Sequence, residues 1–503
     1  MNRLDCSSIL RCSFLTTLNR KRMKLLLRMV APLLFCLTAL LTTQVSAALP
    51  NIVIILADDM GWGDPKCNNP DSNLATPNID RLAKEGMRFT DAHAPASWCT
   101  PTRYGLLTGR YPFRTNLAWR NRPVIEEGRL TLPEMLRQHG YRTAMVGKWH
   151  LGFQIPNGDR SQKHSGGPVD RGFDRYFGIP SSLDIPPFYY IEGDMPVAAP
   201  TETVEAMNSP GWSPIQGAFW RKGGIAPGFR HIDVLPALTE RAEQEIETHH
   251  VEHGEKPLFL YMPLPAPHTP WVPTEEFAGT SKVPLYGDFV SQVDATVGRV
   301  LHALDATGMT DNTLIFFTSD NGPVWYDEDE VKYQHKSVGD LRGMKGDAWE
   351  GGHRMPFVVR WPAKIAQGQT TDTLVCLTDI FATCATLVGH TLPTDSAEDS
   401  IDFSGTLLGT KKTGTRDHLV VNSTADFMMV RQANWKLIPF RGSGGFSKPK
   451  VIKDIPDGEP QGQLYDLAAD PSETQNAYQT NPEKVRDLTS LLERIRAAGR
   501  TRH

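Results

Sequence analysis

A few short stretches of this chain carry side chains that do chemistry better together than apart. Cys99-Thr100-Pro101-Thr102-Arg103 sets a thiol at fixed spacing before a proline and a guanidinium, and Gly109-Arg110 closes the run. Proline suits the first position of a helix, where its missing N–H costs nothing and its φ is already helical. The spacing predicts a helix from Pro101, with Cys99 just outside it, facing unpaired backbone N–H groups and the positive dipole end. Arg103, one turn along, could point its planar fork to the same place and clamp a carboxylate-, phosphate- or sulfate-like group. Asp58-Asp59 and Asp320-Asn321 supply only oxygen ligands. That set suits a hard divalent cation, calcium ahead of magnesium because several protein oxygens can crowd it, and not a zinc-finger site. Lys148, His150, His268 and Lys345 add cations and proton carriers around such an anion pocket. Cations fixed around an oxyanion, with an acid beside its leaving oxygen, are what the transition state of ester cleavage needs.

Four apolar runs can deliver these groups. Asn51–Ala57 is a continuous β-branched stretch of the kind buried on both faces of a parallel sheet, and it ends in Asp58-Asp59. Tyr141–Val146 runs into Lys148 and His150, Leu258–Met262 leads to Pro267-His268, and Thr313–Thr318 ends at Asp320-Asn321. In open α/β sheets, ligands gather beyond the carboxyl ends of the strands. Helices alternate with the runs. One starts at Thr76-Pro77 and closes at Gly86, and another keeps helical spacing through Leu285, Phe289, Val293, Val297, Leu301 and Leu304. The expected fold is α/β, a doubly wound, mostly parallel sheet flanked by helices. Residues 153–235, rich in Pro, Gly and aromatics such as Tyr189, Trp212 and Trp220, read as long loops over the site, and residues 341–361 as a Gly-rich loop carrying Lys345. Past residue 415 the short strands His418–Val421, Phe427–Val430 and Trp435–Ile438, the stretch Leu464–Leu467 and a helix over Glu483–Ala498 predict a smaller antiparallel sheet capped by a helix. The expected domains are a signal peptide (1–47), a catalytic domain (48–415) and a C-terminal subdomain (416–503).

The 503 residues suffice for a large core. Arg20-Lys21-Arg22 and Lys24, the apolar run Met29–Leu41 and the small residues before Ala47 read as a secretory signal, too short and wrongly flanked for a membrane anchor. The protein is therefore expected to be secreted, periplasmic or lumenal. Residues 1–47 hold seven Lys/Arg and one Asp, so their removal moves the formal charge from −4 to −10. An acidic protein argues against nucleic acid as partner and requires a local basic pocket for any anionic substrate. Four cysteines remain after residue 47 (Cys67, Cys99, Cys376 and Cys384), which is no disulfide scaffold. Asn422-Ser423-Thr424 matches the glycosylation sequon, a pattern that chance supplies more often than not.

The motif Cys99-x-Pro101-x-Arg103 with Thr108-Gly109-Arg110 resembles the signature of the formylglycine-dependent sulfatases, arylsulfatase-like enzymes of the alkaline phosphatase superfamily. Asp58-Asp59 and Asp320-Asn321 look like that family's two metal pairs, Lys148-x-His150 like its central pair, and His268 and Lys345 like its sulfate-contacting residues. Leu464–Leu467 to Asp470-Pro471 is similar to its C-terminal region. The motifs arrive in family order from about residue 49 to 480. Thr102 departs from the commonest form, which has serine, but keeps the hydroxyl. The resemblance implies that a separate formylglycine-generating or sulfatase-maturing enzyme oxidises Cys99 to an aldehyde. It also implies one Ca2+ held by Asp58, Asp59, residue 99, Asp320 and Asn321. The hydrated aldehyde would attack sulfur with help from Asp320. Arg103 and Lys148 would belong to the catalytic set, His268 with Lys345 would protonate the leaving alcohol, and His150 would take the proton from the second hydroxyl as sulfate leaves.

Two alternatives stay open at this point. One is a phosphodiesterase or phosphonate monoester hydrolase of the same superfamily. The other is a catalytically inactive binder of sulfated glycans, if Cys99 keeps its thiol. The stretch Asp184-Ile185-Pro186-Pro187 resembles glycan-acting members and implies a sulfated carbohydrate substrate.

Overall fold

The computed structural model describes residues 48–120, 122–209, 215–411, 416–423 and 427–502. The expected leader (1–47), Trp212 and Thr424 of the sequon lie outside these. Ten strands form the large sheet: β1 (Asn51–Asp58), β2 (Met87–Phe89), β3 (Arg142–Lys148), β4 (Arg175–Ile179), β5 (Ile191–Glu192), β6 (Met195–Pro196), β7 (Leu258–Pro267), β8 (Thr313–Ser319), β9 (Phe357–Arg360) and β10 (Gln369–Thr371). Their order across the sheet is β10-β2-β9-β8-β1-β7-β3-β4-β5-β6. The five strands from β8 to β4 are mutually parallel, and β9 and β5 run antiparallel on either side. The apolar run of β1 became its centre for a physical reason. Ile52 to Ala57 are fully buried, so no face of this strand needs a polar residue.

Helices α1 (Pro77–Glu85), α2 (Cys99–Thr108), α3 (Val234–His253) and α4 (Tyr286–Ala306) belong to the layers that flank the sheet. In α4 the buried positions Phe289, Val293, Val297, Val300, Leu301 and Leu304 follow the expected stripe. Leu285 does not continue it. It sits at the N-cap with φ 64° and an exposed side chain, because Asp288 accepts from its backbone N–H and turns the chain there.

Residues 153–235 are not all loop. Arg175-Tyr176-Phe177-Gly178-Ile179 adds β4 to the parallel sheet beside β3, and Glu202–Val204 pairs with Gly223–Ile225 in a small hairpin. The C-terminal part forms the expected antiparallel sheet of four strands, β11 (His418–Asn422), β12 (Met428–Gln432), β13 (Trp435–Ile438) and β14 (Gln463–Asp466), followed by α5 (Pro482–Ala497). Leu488, Leu492 and Ile495 of α5 share one apolar cluster with Val430, Leu437 and Leu464, and with Tyr111 and Trp349 from the preceding chain. Each such side chain contributes about 1.5–3 kcal/mol on burial.

Candidate active site

Strand register brings distant residues together. Ala57 pairs with Ser319, so Asp58 and Asp320 leave neighbouring parallel strands side by side. Asp58 pairs with Pro267 on the other flank, which sets His268 beside Asp59. From β3, Lys148 turns its ammonium onto the Asp58 carboxylate in a fully buried ion pair. The backbone then twists sharply: Asp59 (φ 63°) and His150 (φ 56°) are both left-handed, a conformation costing about 1–3 kcal/mol that a fold tolerates where it places a functional group.

Asp58, Arg103, Lys148, Asp320 and Asn321 are completely buried. Arg103 donates from Nε and Nη2 to one Asp320 oxygen (3.0 and 2.8 Å), lies 3.5 Å from Asp58 and gives Nη1 to the Lys148 carbonyl (2.9 Å). Its fork does clamp a carboxylate, but one belonging to the protein, so the expectation that it reaches an incoming anion is corrected. The reason is depth: a buried guanidinium must be paired, and Asp320 is the partner within reach. Lys345 donates to both Asp59 oxygens (2.6 and 2.8 Å), Asn321 Nδ2 donates to Asp59 at 2.5 Å, and His268 Nε2 lies 3.6 Å from the same carboxylate. Burial pushes the Asp58 carboxyl up, but Lys148, His268 and Arg103 overcome it and hold the group well below the usual carboxylate range. Asp320 goes the other way. Burial and the Asp58 charge outweigh Arg103 and Lys148, raising it to about 7.

Cys99 lies at the first residue of α2, with Trp98 as N-cap, rather than outside a helix opened by Pro101. Thr102 N–H donates to the Trp98 carbonyl (3.2 Å), so the first turn closes earlier than expected. Pro101 is tolerated because first-turn N–H groups have no intrahelical acceptor. The Thr102 hydroxyl donates to the Ala96 carbonyl at 3.0 Å, a bond within serine's reach too. Cys99 Sγ sits 3.4 Å from His150 Nδ1. Burial, then Lys148 and Arg103, push the His150 imidazolium well down, so the ring is neutral. His268 Nδ1 is 2.5 Å from the Thr269 carbonyl, which can only accept, so that nitrogen carries a proton and Nε2 faces the pocket.

A cavity of about 540 Å³ opens over this floor, lined by Asp59, Cys99, His150, His268 and Lys345. Its other walls come from Asn422 of the sequon and from residues that no sequence pattern marks: Trp98, Trp119, Arg221 and Phe446. Asp184 is paired with Arg221 through one oxygen, while its buried Oδ1 has no hydrogen-bond partner among the described residues. Asn422, at the end of β11, is buried in the wall and offers no surface for a glycan. The Ser443–Ser447 loop braces the Lys345 segment, with Ala348 N–H donating to Ser443 O (2.7 Å) and Ser447 N–H to Asp347 (3.1 Å). Gly445 permits this: a Cβ there would come within 2.0 Å of Gly346.

The ligand atoms of Asp58, Cys99 and Asp320 lie within 4.8 Å of one another. Among the described residues, Asp58 Oδ1 and Asn321 Oδ1 are buried without a hydrogen-bond donor. Buried oxygens left unmet on carboxylate and amide fit a hard cation. The sulfatase family model matches residues 50–390. The chain belongs to the sulfatase family. An N-acetylgalactosamine-6-O-sulfatase of Bacteroides thetaiotaomicron is 36% identical over 89% of this chain and 93% of its own length. Mouse arylsulfatase G is 35% identical over 75% of this chain and 73% of its own. A Bacteroides thetaiotaomicron structure from work on the metabolism of multiple glycosaminoglycans superposes with TM-score 0.79 and 34% identity, over 89% of this chain and 99% of that one. These findings favour a sulfatase over the phosphorus-cleaving and inactive alternatives. Cys67, Cys99, Cys376 and Cys384 are free thiols, and no helix among the described residues is long and apolar enough to cross a membrane.

Proposed function

We propose that this sulfatase cleaves sulfate esters of a sulfated carbohydrate, with Cys99 oxidised to formylglycine and one calcium ion as resident cofactor. The observation that carries this reading is that the ligand atoms of Cys99, which lines the cavity, Asp58 and Asp320 lie within 4.8 Å of one another, while buried oxygens of Asp58 and Asn321 stay unmet beneath the cavity floor. Asp58, Asp59, residue 99, Asp320 and Asn321 would hold the ion, which supplies charge neutralisation for the sulfate oxygens. Formylglycine supplies, as its hydrate, a nucleophilic hydroxyl and a second hydroxyl through which the product can be released.

The chain's own residues have distinct tasks. Lys148 and Arg103 keep Asp58 charged and hold Asp58 and Asp320 in place beneath the floor. Lys345 and His268, at the cavity wall, bind the sulfate. With Nδ1–H fixed on the Thr269 carbonyl, His268 must carry a second proton on Nε2, beside Asp59, and gives that proton to the departing alcohol. His150, neutral and in contact with residue 99, takes the proton of the second hydroxyl. The unmet oxygen of Asp184 accepts a hydrogen bond from a sugar hydroxyl. Residues 1–47 direct export and are removed.

The test is the peptide mass at residue 99 after expression with and without a formylglycine-generating enzyme, beside parallel assays on aryl sulfate, aryl phosphate and sulfated saccharides. Sulfate release that rises with aldehyde content is expected. Faster phosphate than sulfate release, or activity independent of the aldehyde, would overturn the reading.

A further inference from the structure

The cavity over Cys99 does not end at its rim. Trp119, Arg120 and Ile185 line it and also a second depression of about 200 Å³. Arg160, Pro186 and Pro187 line the second and a third of about 560 Å³. The three depressions share walls in succession and form a row of hollows, a trough, leading away from the reactive residue.

Its lining has a consistent chemistry. Trp119 packs edge-on against the His150 ring, with centroids 4.5 Å apart, so the same indole touches the reactive floor and the start of the trough. Tyr189 is buried farther along, its hydroxyl 2.9 Å from His164 Nε2 and hydrogen-bonded to Arg160. Among the described residues, neither Arg120 nor Arg160 has a carboxylate at ion-pair distance. Arg120 leans over the Trp119 ring at 5.7 Å, and Arg160 otherwise reaches only the Gly158 carbonyl at 3.4 Å. The cations around them are occupied: Lys163 pairs with Asp194 at 2.6 Å and Arg221 with Asp184. Asp159, next to Arg160 in sequence, receives the Ser161 N–H and hydroxyl at 2.9 and 2.7 Å. In a chain of net negative charge, two unpaired guanidinium groups along an aromatic-floored trough are receptors for anions carried on a ring-shaped ligand.

We propose that this trough holds the sugar units attached to the one bearing the scissile sulfate. Trp119 is the stacking platform, and Arg120 and Arg160 receive a carboxylate or a second sulfate on those units. The preferred substrate is then an anionic oligosaccharide, not a sulfated monosaccharide. This rests on the sulfatase reading of the Cys99 cavity and extends it along the chain of the substrate.

The experiment compares kcat/KM of the matured enzyme for an aryl sulfate, a sulfated monosaccharide and two sulfated tetrasaccharides. One tetrasaccharide contains uronate and the other carries further sulfates on neutral sugars, so the two arms identify the anion. An anionic tetrasaccharide should exceed the monosaccharide by at least about tenfold, and Arg120→Ala or Arg160→Ala should each reduce that ratio by roughly the tenfold of one charge-assisted hydrogen bond. Trp119→Ala should reduce it too. Equal kcat/KM for mono- and tetrasaccharide, or a ratio that survives both arginine substitutions, overturns the trough while leaving the sulfatase reading intact. If protein with the aldehyde cleaves none of the esters, the sulfatase reading fails instead. The trough is then read from tetrasaccharide binding to the Cys99→Ala protein: arginine-dependent binding supports it, and its absence overturns it.

Discussion

Two buried knots of charge lie in this molecule, and they differ in a way that separates a reactive centre from a structural one. The first is the floor of the Cys99 cavity, with Asp58, Asp59 and Asp320 against Arg103, Lys148 and Lys345. The second joins the Glu350–His353 segment to β12 and β13. There Lys436 meets Glu350 at 3.0 Å, Glu473 at 2.8 Å and His353 Nε2 at 3.2 Å. Arg431 holds both Asp91 oxygens at 2.8 and 2.7 Å, and His93 bridges Asp91 (2.9 Å) and His353 (3.1 Å). His93, Glu350 and His353 also bring their ligand atoms within 4.8 Å of one another. By ligand geometry alone either knot would pass for a metal site. In the second, an ammonium already occupies the space between the acids, and none of its residues lines the cavity. In the first, oxygens remain unmet next to Cys99. Buried charge does not mark the centre; unsatisfied charge beside a cavity does.

That contrast can be broken by substitution. The largest effect is expected for Cys99→Ala, which should lower sulfate release by at least about a thousandfold with the fold retained, read by kcat and by thermal melting side by side. Asp58→Ala should lose as much activity and some stability as well, because it leaves the Lys148 ammonium buried without its partner. Lys436→Met should do the reverse. Removing the one cation between two buried carboxylates costs about 3–5 kcal/mol of stability, measured by denaturant titration, while kcat per folded molecule stays near wild type. A Lys436→Met protein that is stable yet inactive would reverse the assignment of the two knots.

Chelation sharpens the same contrast. Stripping divalent ions should abolish activity and lower the melting midpoint of the wild type, and added calcium should restore both. At a hundredfold excess over Kd a ligand stabilises by about 2.7 kcal/mol. Binding should tighten as pH rises through about 7, because the Asp320 carboxyl must lose its proton to serve as a ligand.

The second knot has its own pH signature. Burial and the Glu350 charge, working against Lys436, raise the Glu473 carboxyl from 4.5 to about 7. A group whose folded pKa is raised contributes stability that is complete below the unfolded value and is lost as pH climbs through the folded one. The melting midpoint of wild type relative to Glu473→Gln should therefore fall between pH 5 and 8. A difference that is flat over that window would show that Glu473 carries no proton. The smallest effect is expected for Asp184→Asn. It should raise KM for a sulfated saccharide by roughly tenfold, the scale of one hydrogen bond to a charged acceptor, with little change for an aryl sulfate.

Much of the first knot is legible in the amino-acid order alone. Asp58-Asp59, Lys148, His150, His268 and Asp320-Asn321 each follow an apolar run, and parallel strands of one sheet must end at the same edge. The second knot is not legible there, because Asp91 and Arg431 stand 340 positions apart and Arg431 lies in the four-stranded sheet, to which Asp91 does not belong, so no common strand edge brings them together. Strand β4 is hard to read because it is short and opens on the exposed Arg175. Helix α3 is obscured since Glu245 and His249 occupy buried positions in its stripe and blur the apolar period. The walls of the cavity are equally hidden. Trp119, Asn422 and Phe446 lie on irregular segments or at a strand end, and their mutual position depends on packing, not on local spacing.

By itself the sequence determined the elements with a clear apolar period and which side chains stand at their ends, since apolar period and turn residues act over a few neighbours. It also settled the family, through the order of motifs that no single element contains. Only the tertiary structure decided what each charge meets: that Arg103 grips Asp320 rather than a ligand, that Lys436 fills one acidic knot, and that Asp58 and Asn321 keep oxygens open in the other. Such pairings are set by strand register and by the seating of the C-terminal sheet, and a low-dielectric interior makes each of them decisive.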